Sequence, residues 1–432
     1  MTEATIFALA SGRPPAAIAV IRLSGPAVRA TVTAMTGRLP PPRRMTSTRI
    51  VDPATRTVID HALAVWFAAP ASATGEDAAE FHVHGGTAVV AAMLRCLGAQ
   101  PGLRLAEPGE FTRRAFDNAR LDLTQVEGLA DLMAAGTETQ RLQALTQATG
   151  GLRQRAERWR ATILAALANS VALLDFAEEQ SDVVVASDAV MAMTLRALRS
   201  DVAAHLVDSA RGERVRDGLT VAVVGAPNVG KSSLFNILAG SDAAIVSPVA
   251  GTTRDPIEVA LDLDGCAVTL IDTAGLRDDV ADPVEREGMA RARARAASAA
   301  LVLHIATEPP AEPLGQVVIN KIDLSGAQAG MHSGRLHVSA ATGEGVEIFR
   351  NWLAAWATAA LRSGDPALVT RERQRLALAS LVEALDDVDH QPDPVLHAEA
   401  LQAAAQSLAR LTGRVGIEDV LDELYANFCI GK

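Results

Sequence analysis

The sequence predicts a multidomain protein that combines α/β and all-α architecture, and three observations indicate this. The chain has 432 residues, more than a single hydrophobic core usually serves. Strand-and-turn patterns give way to helical periodicity, and buried strands that alternate with helices then interrupt that periodicity. We therefore expect an N-terminal α+β domain at 1–118, a discontinuous helical domain at 119–215 and 361–432, and an inserted α/β domain at 216–360.

The composition is that of a globular protein, with 49% hydrophobic and 21% charged residues. The net charge of −11 argues against a general nucleic-acid coat, but residues 1–120 hold 13 basic and 9 acidic groups, a net +4. An anionic ligand or RNA is therefore expected to meet this part of the chain. Scattered, solvated arginines explain the same charge equally well.

The sequence also predicts a cytoplasmic protein without a membrane segment. No uncharged apolar run reaches the ~18 residues that a spanning helix needs. The start, MTEATIFALASGR, lacks the basic beginning of a secretory signal. The cysteines Cys96, Cys266 and Cys429 are odd in number and far apart, which argues against a disulfide framework.

The first two predicted domains differ in their apolar patterns. AAIAVIRLSG and HALAVWFAA predict β-strands, because they are rich in β-branched or aromatic residues and lie between Gly- and Pro-rich clusters. Over 121–210, apolar residues recur every three or four positions, which predicts long packed helices. The predicted core stripe consists of Val126, Leu129, Ala130, Met133, Trp159, Ile163, Leu167, Val171 and Leu174.

The inserted region begins with a phosphate-binding pattern. Four buried strands are predicted within LTVAVVG, VTLIDTAG, AALVLHIA and QVVINKID, which indicates a mainly parallel sheet. Residues 225–232, GAPNVGKS, fit G-x-x-x-x-G-K-S between the first strand and the helix SLFNILAG. Glycine lets the backbone wrap a phosphate, Lys231 can bridge the β- and γ-phosphates, and Ser232 can place its hydroxyl on Mg²⁺.

Two further elements suit the γ-phosphate and its metal. Asp272 ends a strand in the sequence DTAG, where its carboxylate can hold a Mg²⁺ water and Gly275 leaves its amide free for the γ-phosphate. Thr253 of the upstream loop GTTRD is a candidate second hydroxyl ligand to Mg²⁺.

Two final elements suit recognition of a guanine base. Asn320-Lys-Ile-Asp323 closes another strand, and the Asp323 carboxylate can accept two hydrogen bonds that guanine donates and adenine does not. Ser339-Ala-Ala-Thr can offer backbone amides to the guanine oxygen. Only three of the 40 basic residues are lysines, and Lys231 and Lys321 lie within these motifs. Five elements in this order predict a GTP-binding domain.

These motifs do not identify the residue that activates the attacking water. Leu276 follows Gly275 where a Ras-like enzyme has the glutamine that orients water, and an apolar side chain cannot do this. The acid or base must then lie further along, and a solvated helix face explains any single candidate as well. The candidates are Asp278, Asp279, Asp282, Glu285 and Glu287.

In these motifs, and over essentially its whole length, the sequence resembles the MnmE (TrmE) family of tRNA-modification GTPases. The resemblance also rests on IRLSG and TGEDAAEFHVHGG in the first domain, PGEFTRRAFDNARLDLTQVEGLADL at the domain junction, and FCIGK at the end. It implies a folate-binding N-terminal domain that forms a homodimer, a helical domain of two segments, and an inserted P-loop GTPase domain.

The resemblance implies an activity as well. Proteins of this family are potassium-stimulated GTPases that work with a flavin-dependent partner, MnmG, in a heterotetramer or larger complex. Together they add an aminomethyl or carboxymethylaminomethyl group to C5 of the wobble uridine in tRNA. The implied cofactors are GTP, Mg²⁺, K⁺ and, as one-carbon donor, 5-formyl- or methylene-tetrahydrofolate.

Carried over residue by residue, the resemblance implies four sets of site residues. The folate contacts are Arg22, Glu80, Arg120 and Lys432, with arginine at 120 where the family has lysine. Catalytic roles fall to Glu285, Lys231 and Cys429. The Mg²⁺ ligands are Ser232 and Thr253, and the K⁺ ligands are Asn228, Ser247, Val249 and Thr252. The GTP contacts are Asn228, Val229, Gly230, Lys231, Ser232, Ser233, Ser247, Thr252, Thr253, Asp272, Thr273, Ala274, Gly275, Asn320, Lys321, Asp323, Ser339, Ala340 and Ala341.

Alternative interpretations remain for parts of the sequence. An RNA-binding assembly switch akin to Era or Der also lacks the glutamine, but the chain shows no second GTPase domain and no GxxG clamp in a basic context. A role in membrane ion transport is disfavoured, because the sequence predicts no membrane-spanning segment. Cys429 does not fit a prenylation box, because Cys-Ile-Gly-Lys ends in a charged residue. His82 and His84 favour a structural role over metal binding, since no third ligand is evident.

Overall fold

The computed structural model describes residues 4–175, 182–240, 243–245, 258–272, 297–362, 364–391, 393–414 and 431. The chain forms two structural units. Unit 1 consists of Met1–Ala130 with Ala409–Lys432, and unit 2 consists of Asp131–Leu408.

Unit 1 contains a six-stranded sheet flanked by helices. The strands are β1 (Thr5–Leu9), β2 (Ile18–Ser24), β3 (Thr46–Val51), β4 (Val58–Phe67), β5 (Ala78–His84) and β6 (Leu103–Leu105). The helices are α1 (Val28–Thr36), α2 (Thr87–Gly98), α3 (Glu110–Asp117) and the start of α4 (Leu123–Ala134). The strand order is β3-β4-β5-β2-β1-β6, antiparallel except between β1 and β6. Both predicted strands and the α+β class are confirmed.

Strand alternation divides the side chains of β2 and β5 between two faces. Ile21, Leu23 and Phe81 are fully buried in the core that α1 and α2 cover. Arg22 lies opposite Glu80 in the β2–β5 register, so both point to the other face. The pairing of these two strands therefore brings together two charged residues that are 58 positions apart in sequence.

Long helices form the first part of unit 2, as predicted. They are α5 (Glu138–Ala148), α6 (Gly151–Asp175) and α7 (Asp182–Asp217), followed near the end of the chain by α11 (Glu372–His390) and α12 (Pro394–Thr412). Trp159 and Ile163 are buried, as the periodicity predicts. The prediction is wrong for Val171 and Met133, which are 45% and 39% exposed. Within the described ranges, no helix combines the length and the apolar character that membrane crossing requires.

The second described sheet of the chain lies in unit 2 and has seven strands. They are β7 (Leu219–Val224), β8 (Glu258–Leu263), β9 (Cys266–Asp272), β10 (Leu301–Ala306), β11 (Gln316–Ile319), β12 (Gly330–His332) and β13 (Arg335–His337). Helices α8 (Lys231–Ala239), α9 (Ile322–Ser325) and α10 (Val346–Leu361) accompany them. The order β12-β13-β11-β10-β7-β9-β8 has a parallel centre, as predicted, and an antiparallel strand at each edge.

Candidate functional site

The nucleotide motifs meet at one edge of the second sheet. Strands β7, β9, β11 and β13 belong to its parallel centre, so their carboxyl ends lie on the same side. The segment 225–230 follows β7, Asp272 ends β9, and the segments 320–323 and 339–341 follow β11 and β13. Ligands of open α/β sheets bind at this edge, because the loops after parallel strands converge there.

The phosphate loop has the backbone that a phosphate cradle requires. Asn228 and Gly230 both have positive φ, 64° and 95°. A side chain at Gly230 would place its Cβ 2.2 Å from Asn320 Nδ2, so this position accepts glycine only. Lys231 is 7% exposed, and its Nζ donates to the carbonyl oxygens of Gly225 and Ala226 at 2.8 and 2.9 Å. The ammonium is thus held above the loop by neutral groups, and its charge is available to an anion.

Asn320 ties the base motif to the phosphate loop. Its Nδ2 donates to the Val229 carbonyl at 2.9 Å, and its Oδ1 accepts from the Ala340 backbone N–H at 2.9 Å. Asn320 is 2% exposed, so both bonds are shielded from water. The side chain therefore fixes the distance between the three segments that were predicted to contact a nucleotide.

The Asp323 carboxylate is oriented by a neighbouring hydroxyl. Ser339 Oγ donates to Asp323 Oδ1 at 2.6 Å and accepts from the Thr342 backbone N–H at 3.2 Å. Ser339 is fully buried, whereas Asp323 is exposed. Lys321, two residues before Asp323, has φ at 64°, which is a strained backbone conformation for a residue with a side chain. The arrangement aims a carboxylate outward from a fixed position.

Two oxygen groups suit a divalent cation at this edge. Ser232 is exposed in the first turn of α8, and Asp272 lies opposite Val223 in the β7–β9 register. A hydroxyl and a carboxylate are the hard donors that Mg²⁺ prefers. Asn228, the predicted K⁺ ligand, is exposed in the loop, as is Ser233 beyond it.

Several predicted site residues lie outside the described ranges, so their roles stay predictions. They are Ser247, Val249, Thr252, Thr253, Thr273, Ala274, Gly275, Glu285, Cys429 and Lys432. The other candidates for water activation, together with Leu276, lie outside these ranges too.

A second candidate site is a cavity of about 330 Å³ in unit 1. Its polar lining includes Arg22, Glu80, Ser72 and Thr112, and its apolar lining includes Phe111. Arg22 donates through Nε and Nη2 to Glu80 Oε1 at 3.1 and 3.0 Å. The cavity therefore combines an ion pair with an aromatic wall.

Arg120 and Gly431 are hydrogen-bonded to residues that line this cavity. Arg120 is exposed, and its backbone N–H donates to the carbonyl of Ala115, which lines the cavity. Gly431, which precedes Lys432, accepts a hydrogen bond from Arg22 Nη1 at 3.5 Å. Gly431 has φ at 102°, and a Cβ there would lie 2.4 Å from the Leu9 carbonyl. This close approach explains a glycine in FCIGK.

An ionic network that the sequence did not reveal supports α3, whose Phe111 and Thr112 line the cavity. Arg114 is 4% exposed and donates to Glu76 Oε2 and Glu110 Oε1, both at 3.0 Å. Arg104 also donates to Glu110, at 2.8 Å to Oε2. Burial opposes ionisation of Glu110, but the hydrogen bonds from Arg104, Arg114 and a backbone N–H outweigh it and lower its pKa. The motif PGEFTRR contains Glu110 and Arg114, but its sequence does not show that they pair with Arg104 and Glu76.

The two histidines of β5 have carboxylate partners. His82 Nε2 lies 3.1 Å from Glu80 Oε2, and His84 Nδ1 lies 2.8 Å from Asp60 Oδ1. In the part of the chain that the structure describes, no cluster of three His, Cys, Asp or Glu residues could hold a metal ion.

The connections of the second sheet to the helices are held by glutamines of α5. Gln140, Gln143 and Gln147 lie on one face of this helix, and each donates its side-chain amide to a backbone carbonyl. The first two bonds measure 2.9 and 3.0 Å. The three acceptors are the carbonyl oxygens of Arg216, Gly212 and Leu368. The segments that precede β7 and follow α10 are thus fixed to one helix.

A phosphate loop joined to an Asn-Lys-x-Asp segment on a mainly parallel sheet defines a P-loop protein of the GTPase class. Family models extend this assignment to the rest of the chain: "MnmE helical domain" matches residues 123–429, and "GTP-binding protein TrmE N-terminus" matches residues 5–120.

Relatives named tRNA modification GTPase MnmE match over the full length. The chain is 51% identical to the one from Methylobacterium sp. (strain 4-46), with 100% of both chains covered. It is 48% identical to that of Parvibaculum lavamentivorans, over 99% of this chain and 100% of the relative. It is also 48% identical to that of Methylorubrum populi, over 100% and 98%. The chain therefore belongs to the MnmE family of tRNA modification GTPases.

Proposed function

We propose that this chain is a cytoplasmic, potassium-stimulated GTPase that modifies tRNA. With a flavin-dependent partner, MnmG, it adds an aminomethyl or carboxymethylaminomethyl group to C5 of the wobble uridine, using a tetrahydrofolate as one-carbon donor. The observation that carries the proposal is the linkage of Asp323, through Ser339 and Asn320, to the phosphate loop. The GTPase part corresponds to 216–360, inserted into a helical domain.

The residues of the nucleotide site divide the work between base and phosphate. Asp323 accepts from the N1–H and 2-amino groups of guanine, and adenine would leave the carboxylate unpaired. Lys231 releases two neutral carbonyl oxygens and binds the β- and γ-phosphate oxygens instead, since an anion is the stronger acceptor. The first turn of α8 adds its backbone N–H groups.

Cation binding fits the oxygen donors present. Ser232 and Thr253 would hold Mg²⁺, Asp272 would hold one of its waters, and Asn228 would hold K⁺ together with Ser247, Val249 and Thr252. When bound, the two cations neutralise charge that develops on the phosphates. Glu285 is proposed to orient the attacking water, which Leu276 cannot do.

The unit 1 cavity supports the one-carbon part of the proposal. A folate is flat, has an aromatic middle and carries anionic carboxylates, and the cavity offers an ion pair, aromatic side chains and hydroxyls. Arg22, Glu80, Arg120 and Lys432 are proposed contacts. Cys429 is proposed to reach this pocket in the partner subunit of a homodimer.

Two measurements test the proposed function. GTP hydrolysis by the purified protein is compared in KCl and in NaCl, and faster turnover in KCl is expected. The wobble nucleosides of cells that lack the protein are analysed by mass spectrometry, and loss of the C5 substituents is expected. Equal rates in both salts refute potassium activation, and unchanged nucleosides refute the role in tRNA modification.

A further inference from the structure

The unit 1 cavity contains a second arginine, Arg43, and no carboxylate of the described ranges neutralises its charge as Glu80 neutralises that of Arg22. Arg22 forms an ion pair with Glu80 at 3.0 Å. The Arg43 guanidinium donates instead to the carbonyl oxygen of Ala71 and lies over the Phe67 ring, 5.6 Å from its centroid. Among residues with described positions, no carboxylate pairs with Arg43.

Among the described residues, the charged side chains that line the cavity are Arg22, Arg43 and Glu80. Because Arg22 and Glu80 compensate each other, this described lining has a net charge of +1, and that charge is on Arg43. A guanidinium that is bonded only to a neutral carbonyl and a ring face still has free N–H donors. A carboxylate is the acceptor to which such donors bind most strongly.

The backbone fixes Arg43 in place before any ligand binds. Its N–H donates to the Trp66 carbonyl at 2.8 Å, and the Trp66 indole donates to the Pro40 carbonyl at 2.6 Å. Arg43 has φ at 60°, in the left-handed region that costs energy for a residue with a Cβ. Strain of this kind persists where the surroundings impose it, and here it keeps the side chain at the cavity.

Arg43 is displaced along the sheet from the ion pair. Its ring partner Phe67 lies opposite Ala78, whereas Glu80 lies two residues further along the same strand. Two residues of a strand span about 7 Å. The described lining thus has an ion pair at one place and, at another, an arginine that no described carboxylate pairs with, and the rings of Phe111 and Phe67 lie next to Arg22 and Arg43 respectively. A folate has a hydrogen-bonding pterin at one end, an aromatic ring in its middle and a glutamate tail with carboxylates at the other end.

We infer that Arg43 binds a carboxylate of the glutamate tail and so selects the glutamylated ligand over one that lacks the tail. This inference rests on the proposed folate binding and adds to it a residue that determines which form of the ligand is bound. Arg22 and Glu80 remain free, as a pair, to contact the pterin end.

A comparison of two ligands isolates the tail contact. Isothermal titration of the full-length protein uses 5-formyl-tetrahydrofolate and 5-formyl-tetrahydropteroate, which lacks glutamate. Arg43→Gln removes the charge, and Arg43→Lys keeps it. Arg44→Gln is the matched control, because Arg44 is the neighbouring exposed arginine and does not line the cavity. Thermal melting of each variant verifies folding.

For Arg43→Gln we expect a loss of about five- to tenfold in affinity for the glutamylated ligand, from the loss of one charge-assisted contact at an exposed site. Affinity for the pteroate is expected to stay within twofold. Arg43→Lys should recover part of the difference, and Arg44→Gln should change neither affinity.

The outcomes separate the inference from the function on which it rests. If Arg43→Gln weakens both ligands equally, Arg43 only shapes the pocket, and the inference is refuted. It is refuted as well if neither affinity changes. If the wild-type protein binds neither ligand, the proposed folate binding itself fails, and the inference fails with it.

Discussion

Asp323→Asn exchanges one oxygen of the proposed guanine-reading carboxylate for an amide nitrogen, and the neighbours of Asp323 predict the consequence. Asp323 Oδ1 accepts from Ser339 Oγ at 2.6 Å, and the asparagine oxygen keeps this bond. The amide nitrogen then occupies the other position, where it presents an N–H donor to the 2-amino donor of guanine, while the retained oxygen can still accept from N1–H. Donor meets donor at the 2-position, so guanine loses one of its two contacts, and the other is no longer made to a charged group.

The magnitude follows from the number and type of bonds lost. A hydrogen bond to a charged group contributes about 1.5–3 kcal/mol and one to a neutral group about 0.5–1.5 kcal/mol, so losing one bond and the charge on the other costs about 2.5–4.5 kcal/mol. Because Asp323 is exposed, the lower end applies, which corresponds to about a 100-fold loss of GTP affinity. Xanthine has a carbonyl at position 2 where guanine has its amino group, so affinity for XTP should rise by a comparable factor.

The assay is equilibrium titration with GTP and XTP, followed by hydrolysis of each nucleotide. Glu344→Gln is the control, since it removes an exposed carboxylate five residues beyond Ser339 without touching Asp323. GTP affinity within threefold of wild type would contradict the assignment of Asp323. A folded variant that loses both nucleotides would contradict it too, because the predicted change is one of specificity.

Three further predictions follow. Glu110 has a lowered pKa in the folded protein, so its contribution to stability is present above its ordinary pKa of 4.5 and is lost as pH falls through the lower, folded value. Urea unfolding of Glu110→Gln should therefore differ most from wild type near pH 7, and an undiminished difference at pH 3 would exclude this linkage. Gly230→Ala places a Cβ 2.2 Å from Asn320 Nδ2 at a φ of 95°, so nucleotide affinity should fall at least 100-fold. Titration with a fluorescent GTP analogue measures this affinity, and a value within tenfold of wild type would contradict the prediction. Asn228→Ala should abolish the stimulation of hydrolysis by KCl over NaCl while nucleotide affinity stays within threefold, and a retained potassium response would remove Asn228 as a ligand.

The sequence was most informative where a short segment determines its own structure. The phosphate loop is local, since the strand, the glycines and the helix that form it are contiguous in 219–239. The strands of the first hundred residues and the long helices also follow from local periodicity. Val171 shows the limit, because an apolar residue at helical spacing is buried only if another element covers it, and it is 45% exposed.

What the sequence alone determined is the set of nucleotide motifs, their order and the family that shares them. Tertiary structure decided which side chains meet. Arg22 reaches Glu80 because β2 pairs with β5 in one register, and a shift by one residue would move them to opposite faces. Arg43 lies in the run PPPRR, a local sequence that predicts a solvated arginine. Only the placement of its loop against β4 brings it to a cavity. Periodicity and motifs are properties of neighbours in the chain, whereas a binding pocket is a property of neighbours in space.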